Sequence, residues 1–94
     1  MFGTIFNLKI KSGHEDALLR YFRENETPDG MVAWFVMDPD DKDEWIAVAV
    51  FESKDKYVAN ASSAAQHVSF LKMMEHLESE PEWIDGEYVV GETA

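Results

Sequence analysis

The chain has 94 residues, a formal net charge of −11 and no cysteine. It is therefore read as one domain, residues 1–94, without a disulfide, a thiolate nucleophile or a cysteine-based metal site. Its 19 acidic residues against 8 basic ones repel phosphate backbones and anionic lipid, so no nucleic acid and no membrane is expected among its partners. No apolar run reaches the roughly 18 residues of a membrane span, and the first residues lack the basic stretch of a signal peptide, which makes the cytoplasm the expected compartment.

Phe2 to Ile10 alternates, with Phe2, Phe6, Leu8 and Ile10 on one side and Ile5 and Asn7 on the other, and reads as a strand. Ser12-Gly13-His14-Glu15 fits S-x-x-E and predicts a capping box. Leu18, Tyr21, Phe22 and Asn25 then recur at helical spacing, and Thr27-Pro28-Asp29-Gly30 supplies the turn chemistry that ends the helix. Met31 to Met37 is a second strand, apolar on both faces, with Met31, Ala33 and Phe35 set against Val32, Trp34 and Val36. After a polar connection from Asp38 to Asp43, Trp45 to Phe51 forms a third strand, again apolar on both faces.

Ser53 is placed to cap a short helix holding Tyr57 and Val58, and Ser63-x-x-Gln66 to open a longer one. The inner face of the longer helix is expected to carry His67 or Val68, then Phe70, Leu71, Met74 and Leu77, with Pro81 marking its end. Trp83 to Val90 gives a last strand, irregular near Asp85-Gly86.

The order strand–helix–strand–strand–helix–strand is the ferredoxin-like βαββαβ motif, an α+β fold. Right-handed crossovers put both helices on one face of a four-stranded antiparallel sheet, with the first and third strands central. The other face would then expose several of Trp34, Trp45, Phe35, Phe51 and Met31, more apolar surface than a monomer usually shows. A homodimer through this open sheet face, burying roughly 800 Å² per chain, is the expected closure.

Several segments resemble the antibiotic biosynthesis monooxygenase family of dimeric α+β barrels. The stretch from Thr4 to Asp16 is similar to the family's first strand and the turn into its first helix. Gly30-Met31-Val32 resembles the start of its second strand. Val50-Phe51-Glu52-Ser53-Lys54-Asp55-Lys56-Tyr57 resembles its "Trp-x-Ser-x-x-x-aromatic" segment, with Phe51 in place of Trp, and His67-Val68-Ser69-Phe70 resembles its His-x-x-Phe. The resemblance implies a dimeric barrel and, for activity, the family's range: cofactor-independent oxygenation of aromatic polyketides or quinols, haem degradation, or no known activity.

On the residues themselves, Asn7 interrupts an apolar central strand and points away from the helix-facing set, toward the expected barrel interior. An Asn at the equivalent place serves the substrate site of the haem-degrading relatives. His67, on the last helix, is the candidate base, since imidazole is the side chain suited to proton transfer near neutrality. Trp34, Phe51, Tyr57 and Phe70 are the candidate substrate-binding aromatics. His14 and His76 are expected at the surface. No histidine pair has i, i+4 spacing and H-E-x-x-H is absent, so no metal site is expected.

The leading expectation is a monooxygenase that needs no cofactor. A small apolar or aromatic ligand of quinol or anthrone type would lie between sheet and helices, with Asn7 on its oxygen and His67 taking the proton. A non-catalytic dimeric ligand-binding or stress-associated module is the alternative. Haem degradation is disfavoured, because Asn60 stands where several active relatives carry Trp.

Overall fold

A computed structural model describes residues 1–94. Its strands are β1 (Phe2–Leu8), β2 (Met31–Met37), β3 (Trp45–Phe51) and β4 (Trp83–Glu87). Its helices are α1 (Glu15–Glu24), α2 (Lys54–Ala61) and α3 (Ala64–Met74). The sheet order is β2-β3-β1-β4 with every neighbouring pair antiparallel. This is the expected ferredoxin-like α+β architecture, with β1 and β3 central and the second crossover built from two helices, α2 and α3.

Register assigns the faces. Opposite Phe2, Thr4, Phe6 and Leu8 on β1 stand Phe51, Ala49, Ala47 and Trp45 on β3. These face the helices, since Phe6, Leu8 and Ala47 share the buried core with Leu18 of α1, Met73 of α3 and Leu77. The other face carries Ile5 and Asn7 of β1, Ile46, Val48 and Val50 of β3, and Ile84 of β4.

In β2 strict alternation breaks. A register shift between Met31 and Ala33 inserts Val32 as an extra residue. Met31, Trp34 and Val36 consequently share the helix side, while Ala33, Phe35 and Met37 lie on the open side. The sequence expectation grouped Met31 with Phe35 and placed several of five large residues on the open face. Of the five named there, only Phe35 lies on it; the two Trp, Phe51 and Met31 all turn toward the helices.

Local chemistry explains most element ends. Ser53 and Ser63 each accept a hydrogen bond from the backbone N–H three residues on, at Lys56 and Gln66, as N-caps do. Ser12 does not cap α1. Gly13 adopts φ 83° and the His14 N–H donates to the Lys11 carbonyl at 2.9 Å, a type II-like turn with glycine where positive φ is required. That turn uses Ser12 as a corner residue and makes His14 the N-cap, with no side-chain cap bond. The inner face of α3 keeps Phe70 and Met74, with Leu77 just beyond it, against the core as expected, but part of that face differs. Met73 is buried and Gln66, Ser69 and Phe70 are half-buried, whereas Val68 and Leu71 are exposed.

Candidate functional site

A cavity of about 450 Å³ lies between the helix side of the sheet and all three helices, within the usual range for small-molecule sites, roughly 300–1,000 Å³. Its origin is legible in the residues. Ala47 and Ala49 occupy the helix side of central strand β3, so no large side chain fills the space above the middle of the sheet. Aromatic rings wall that space. Phe6 and Trp83 meet at 4.4 Å between centroids, Phe22 stacks on Trp34 at 5.9 Å, and the Tyr57 ring meets Phe51 edge-on at 5.5 Å. Phe70 closes the wall beside Trp83 at 6.3 Å. The expected aromatics Trp34, Phe51, Tyr57 and Phe70 thus all line one cavity.

Polar groups enter it at several places, among them the Asn60–Gln66 pair between α2 and α3. On the α1–α3 side, the Tyr21 hydroxyl donates to the Ser69 carbonyl at 3.0 Å and contacts the Ser69 hydroxyl, which donates to Asn25 Oδ1 at 3.2 Å. At the β1–β4 end, the Tyr57 hydroxyl donates to Asp85 Oδ1 at 2.8 Å, and Thr4 stands opposite Asp85 in the strand register. Burial raises the Tyr21 pKa, partly offset by its bond to Ser69. The Tyr57 pKa is pushed up to about 12, first by burial, then by the hydrogen bond to Asp85 and the charge of that carboxylate. Both phenols therefore remain protonated donors at neutral pH and are unsuited to act as bases.

His67 lines the same cavity from α3 with its side chain exposed, at the rim rather than in the depth. Asn7 is elsewhere. It lies on the opposite face of the sheet, and both ends of its amide are engaged. Its Nδ2 donates to Glu44 Oε2 at 2.9 Å, and its Oδ1 accepts from the Glu82 N–H at 2.6 Å. The sequence reading put Asn7 away from the helix-facing set and the ligand between sheet and helices. Those are opposite sides of one sheet, so the protomer does not bring Asn7 and His67 into one cavity.

Thr4 and Asp85 escaped the sequence reading. The signal was present: Thr4 falls between Phe2 and Phe6 on the helix side of β1, a polar residue at a core position. Asp85 is two residues beyond Trp83 and shares its face. His14 and His76 also depart from expectation. Their Nδ1 atoms lie 3.1 Å apart, joining the start of α1 to the segment after α3, and no third metal-binding side chain converges on them.

The arrangement defines a class: a ferredoxin-like α+β domain with an aromatic-walled cavity between sheet and helices. No family profile matches the sequence, and no curated protein matches it. Solved structures do match in fold. Among them are several named "putative antibiotic biosynthesis monooxygenase". The one from Chloroflexus aurantiacus has TM-score 0.78 and 21% identity, over 98% of this chain and 96% of that one. The one from Bordetella bronchiseptica has TM-score 0.79 and 13% identity, over 95% and 97%. A protein of unknown function from Nitrosomonas europaea matches with TM-score 0.77 and 16% identity over 99% and 93%. The chain thus has the antibiotic biosynthesis monooxygenase fold along nearly its whole length.

Proposed function

We propose that the chain is the protomer of a two-fold dimer that binds a small neutral aromatic of anthrone or quinol type in the cavity and promotes its oxidation by dioxygen without a cofactor. The aromatic-walled cavity carries this reading, because it matches a planar ring system in chemistry and in size class. The names borne by the fold relatives point the same way. With both cavity phenols held protonated, the proton acceptor is assigned to His67 at the rim, the one imidazole lining a cavity that also holds the carboxylates Glu26 and Asp85. An activated ring CH2 loses a proton to His67, and the resulting carbanion gives electrons to O2. One oxygen atom stays as a new carbonyl and the other leaves, with the two hydrogens of the CH2, as water. Asn7 is assigned a supporting role, holding the strands that carry the cavity floor.

The non-catalytic binding module is the second reading, favoured by the exposure of His67, which leaves the proposed base in contact with solvent. Oxygen uptake with a panel of anthrones and quinols, in metal-free buffer, separates the two. The oxygenase reading expects protein-dependent O2 consumption, one O2 per CH2 converted to carbonyl and water for an anthrone, or one O2 per quinol converted to quinone and hydrogen peroxide. Ligand binding with uptake no faster than the buffer blank would leave the binding module. In either case, haemin with reductant is expected to keep its Soret band, since Asn60 rather than Trp lines the cavity from α2.

A further inference from the structure

Thr4 Oγ1 is the one buried side-chain polar atom without a hydrogen-bond partner. The residue is 4% exposed, sits on the helix side of central strand β1 and lines the cavity. Its hydroxyl points toward the Tyr57 phenol oxygen and acts to lower that phenol's pKa, but the contact falls short of hydrogen-bond geometry, and no other group partners it. A buried hydroxyl left in this condition is costly unless something else satisfies it. Directly across the ladder, Asp85 accepts from Tyr57 with Oδ1 only, so its second oxygen is open to a donor.

We propose that Thr4, Tyr57 and Asp85 form the polar end of the cavity and recognise a hydroxyl group on the ligand's ring. This rests on the reading of the cavity as an aromatic site and names the ligand's polar group. A hydroxyl is the group that fits both partners at once. Its O–H donates to the free Asp85 oxygen, and its lone pair accepts from the Thr4 hydroxyl. Tyr57, protonated and committed to Asp85, fixes the carboxylate's orientation. A ring carboxylate fails on charge, because it would meet Asp85 at close range within a chain of net charge −11. An unsubstituted hydrocarbon leaves Thr4 unsatisfied. The cavity therefore selects neutral hydroxylated rings over both anions and bare hydrocarbons.

The test is tryptophan-fluorescence titration at pH 7 with 2-naphthol, naphthalene and 2-naphthoate. The expected order is naphthol tighter than naphthalene by about tenfold, one good hydrogen bond's worth, with naphthoate weakest. Asp85→Asn should relieve the exclusion of naphthoate, and Thr4→Val should erase most of the preference for naphthol over naphthalene. Thr4→Val has a second readout independent of ligand. It replaces an unsatisfied hydroxyl by a methyl of the same shape, so the free protein's melting temperature should hold or rise. A fall in melting temperature would mean that the hydroxyl is already satisfied inside the protein, and would overturn the proposal. Naphthol and naphthalene binding equally well, with the variants unchanged, would overturn it while leaving the aromatic cavity intact. Failure of all three probes to bind would remove the cavity reading and this one with it.

Discussion

Asn7 ties three stretches of chain together: its own central strand, Glu44 at the start of β3, and Glu82 at the approach to β4. Replacing it by Leu keeps the volume and strands a backbone N–H and a carboxylate oxygen. Glu82 is exposed and Glu44 half-buried, so water takes up part of each bond and the loss is about 1 kcal/mol, a drop in melting temperature of roughly 4–8 °C for a domain of this size. Differential scanning calorimetry of Asn7→Leu at fixed protein concentration should show this loss, while the folded protein still binds 2-naphthol as wild type does. Lost binding with unchanged stability would instead make Asn7 a ligand residue.

The tyrosines give a second test at the same scale. All three have pKa values raised from 10.0, Tyr57 to about 12, with burial as the leading cause in each. A phenol whose folded pKa lies above its unfolded value lends stability that is complete below pH 10. For Tyr57 that contribution disappears as pH rises from 10 toward 12. Absorbance titration at 295 nm should therefore find no tyrosine ionising with a normal midpoint before alkaline unfolding, and Tyr57→Phe should remove the last-titrating group.

At the scale of elements, the sequence showed the strand and helix order and both serine caps, because alternation and cap chemistry are local. Ser63→Ala should cost about 1 kcal/mol by removing the bond from the Gln66 N–H, measurable by urea unfolding; a change near zero would mean that water replaces it. What the sequence hid was set by tertiary partners. The bulge at Val32 is fixed by pairing with β3, and without it Met31 falls on the wrong face. The cap predicted at Ser12 lost to a turn, where Gly13 relieves the positive φ and the His14 ring turns to His76 rather than to its own helix. The departures on α3 follow from the cavity, since Gln66 and Ser69 border space that periodicity alone does not reveal. The four aromatics of the candidate site were legible as large apolar or aromatic residues within their elements, Trp34, Tyr57 and Phe70 inside them and Phe51 at the end of β3. Thr4 and Asp85 were not, because their meeting depends on the register of β1 with β4.

Across the whole molecule, the two faces of the sheet have different fates. Only 10 of 94 residues are buried, and much of the apolar remainder lies on the open face, where Phe35 is 66% and Ile84 is 68% exposed. Ile5 sits between Val48 and Ile84 in register on that face. A second copy covering it is the closure we propose. Sedimentation equilibrium at micromolar concentration should give about twice the 10.8 kDa chain mass, and Ile5→Glu should return the single-chain mass. Because each protomer carries −11, salt should tighten the association by screening repulsion. A folded wild-type monomer under all these conditions would refute the dimer.

No helix of the chain is long and apolar enough to cross a membrane, and the central claim concerns the other side of the sheet: that the space above Ala47 and Ala49 is where the aromatic ligand binds. Ala49→Phe sends a ring from β3 into that space, filling a void and leaving the open face unaltered. The most direct measurement is fluorescence titration of this variant with 2-naphthol beside wild type. The account predicts that wild type binds and that Ala49→Phe, still folded and of unchanged mass, does not. Equal binding by the filled variant would contradict it.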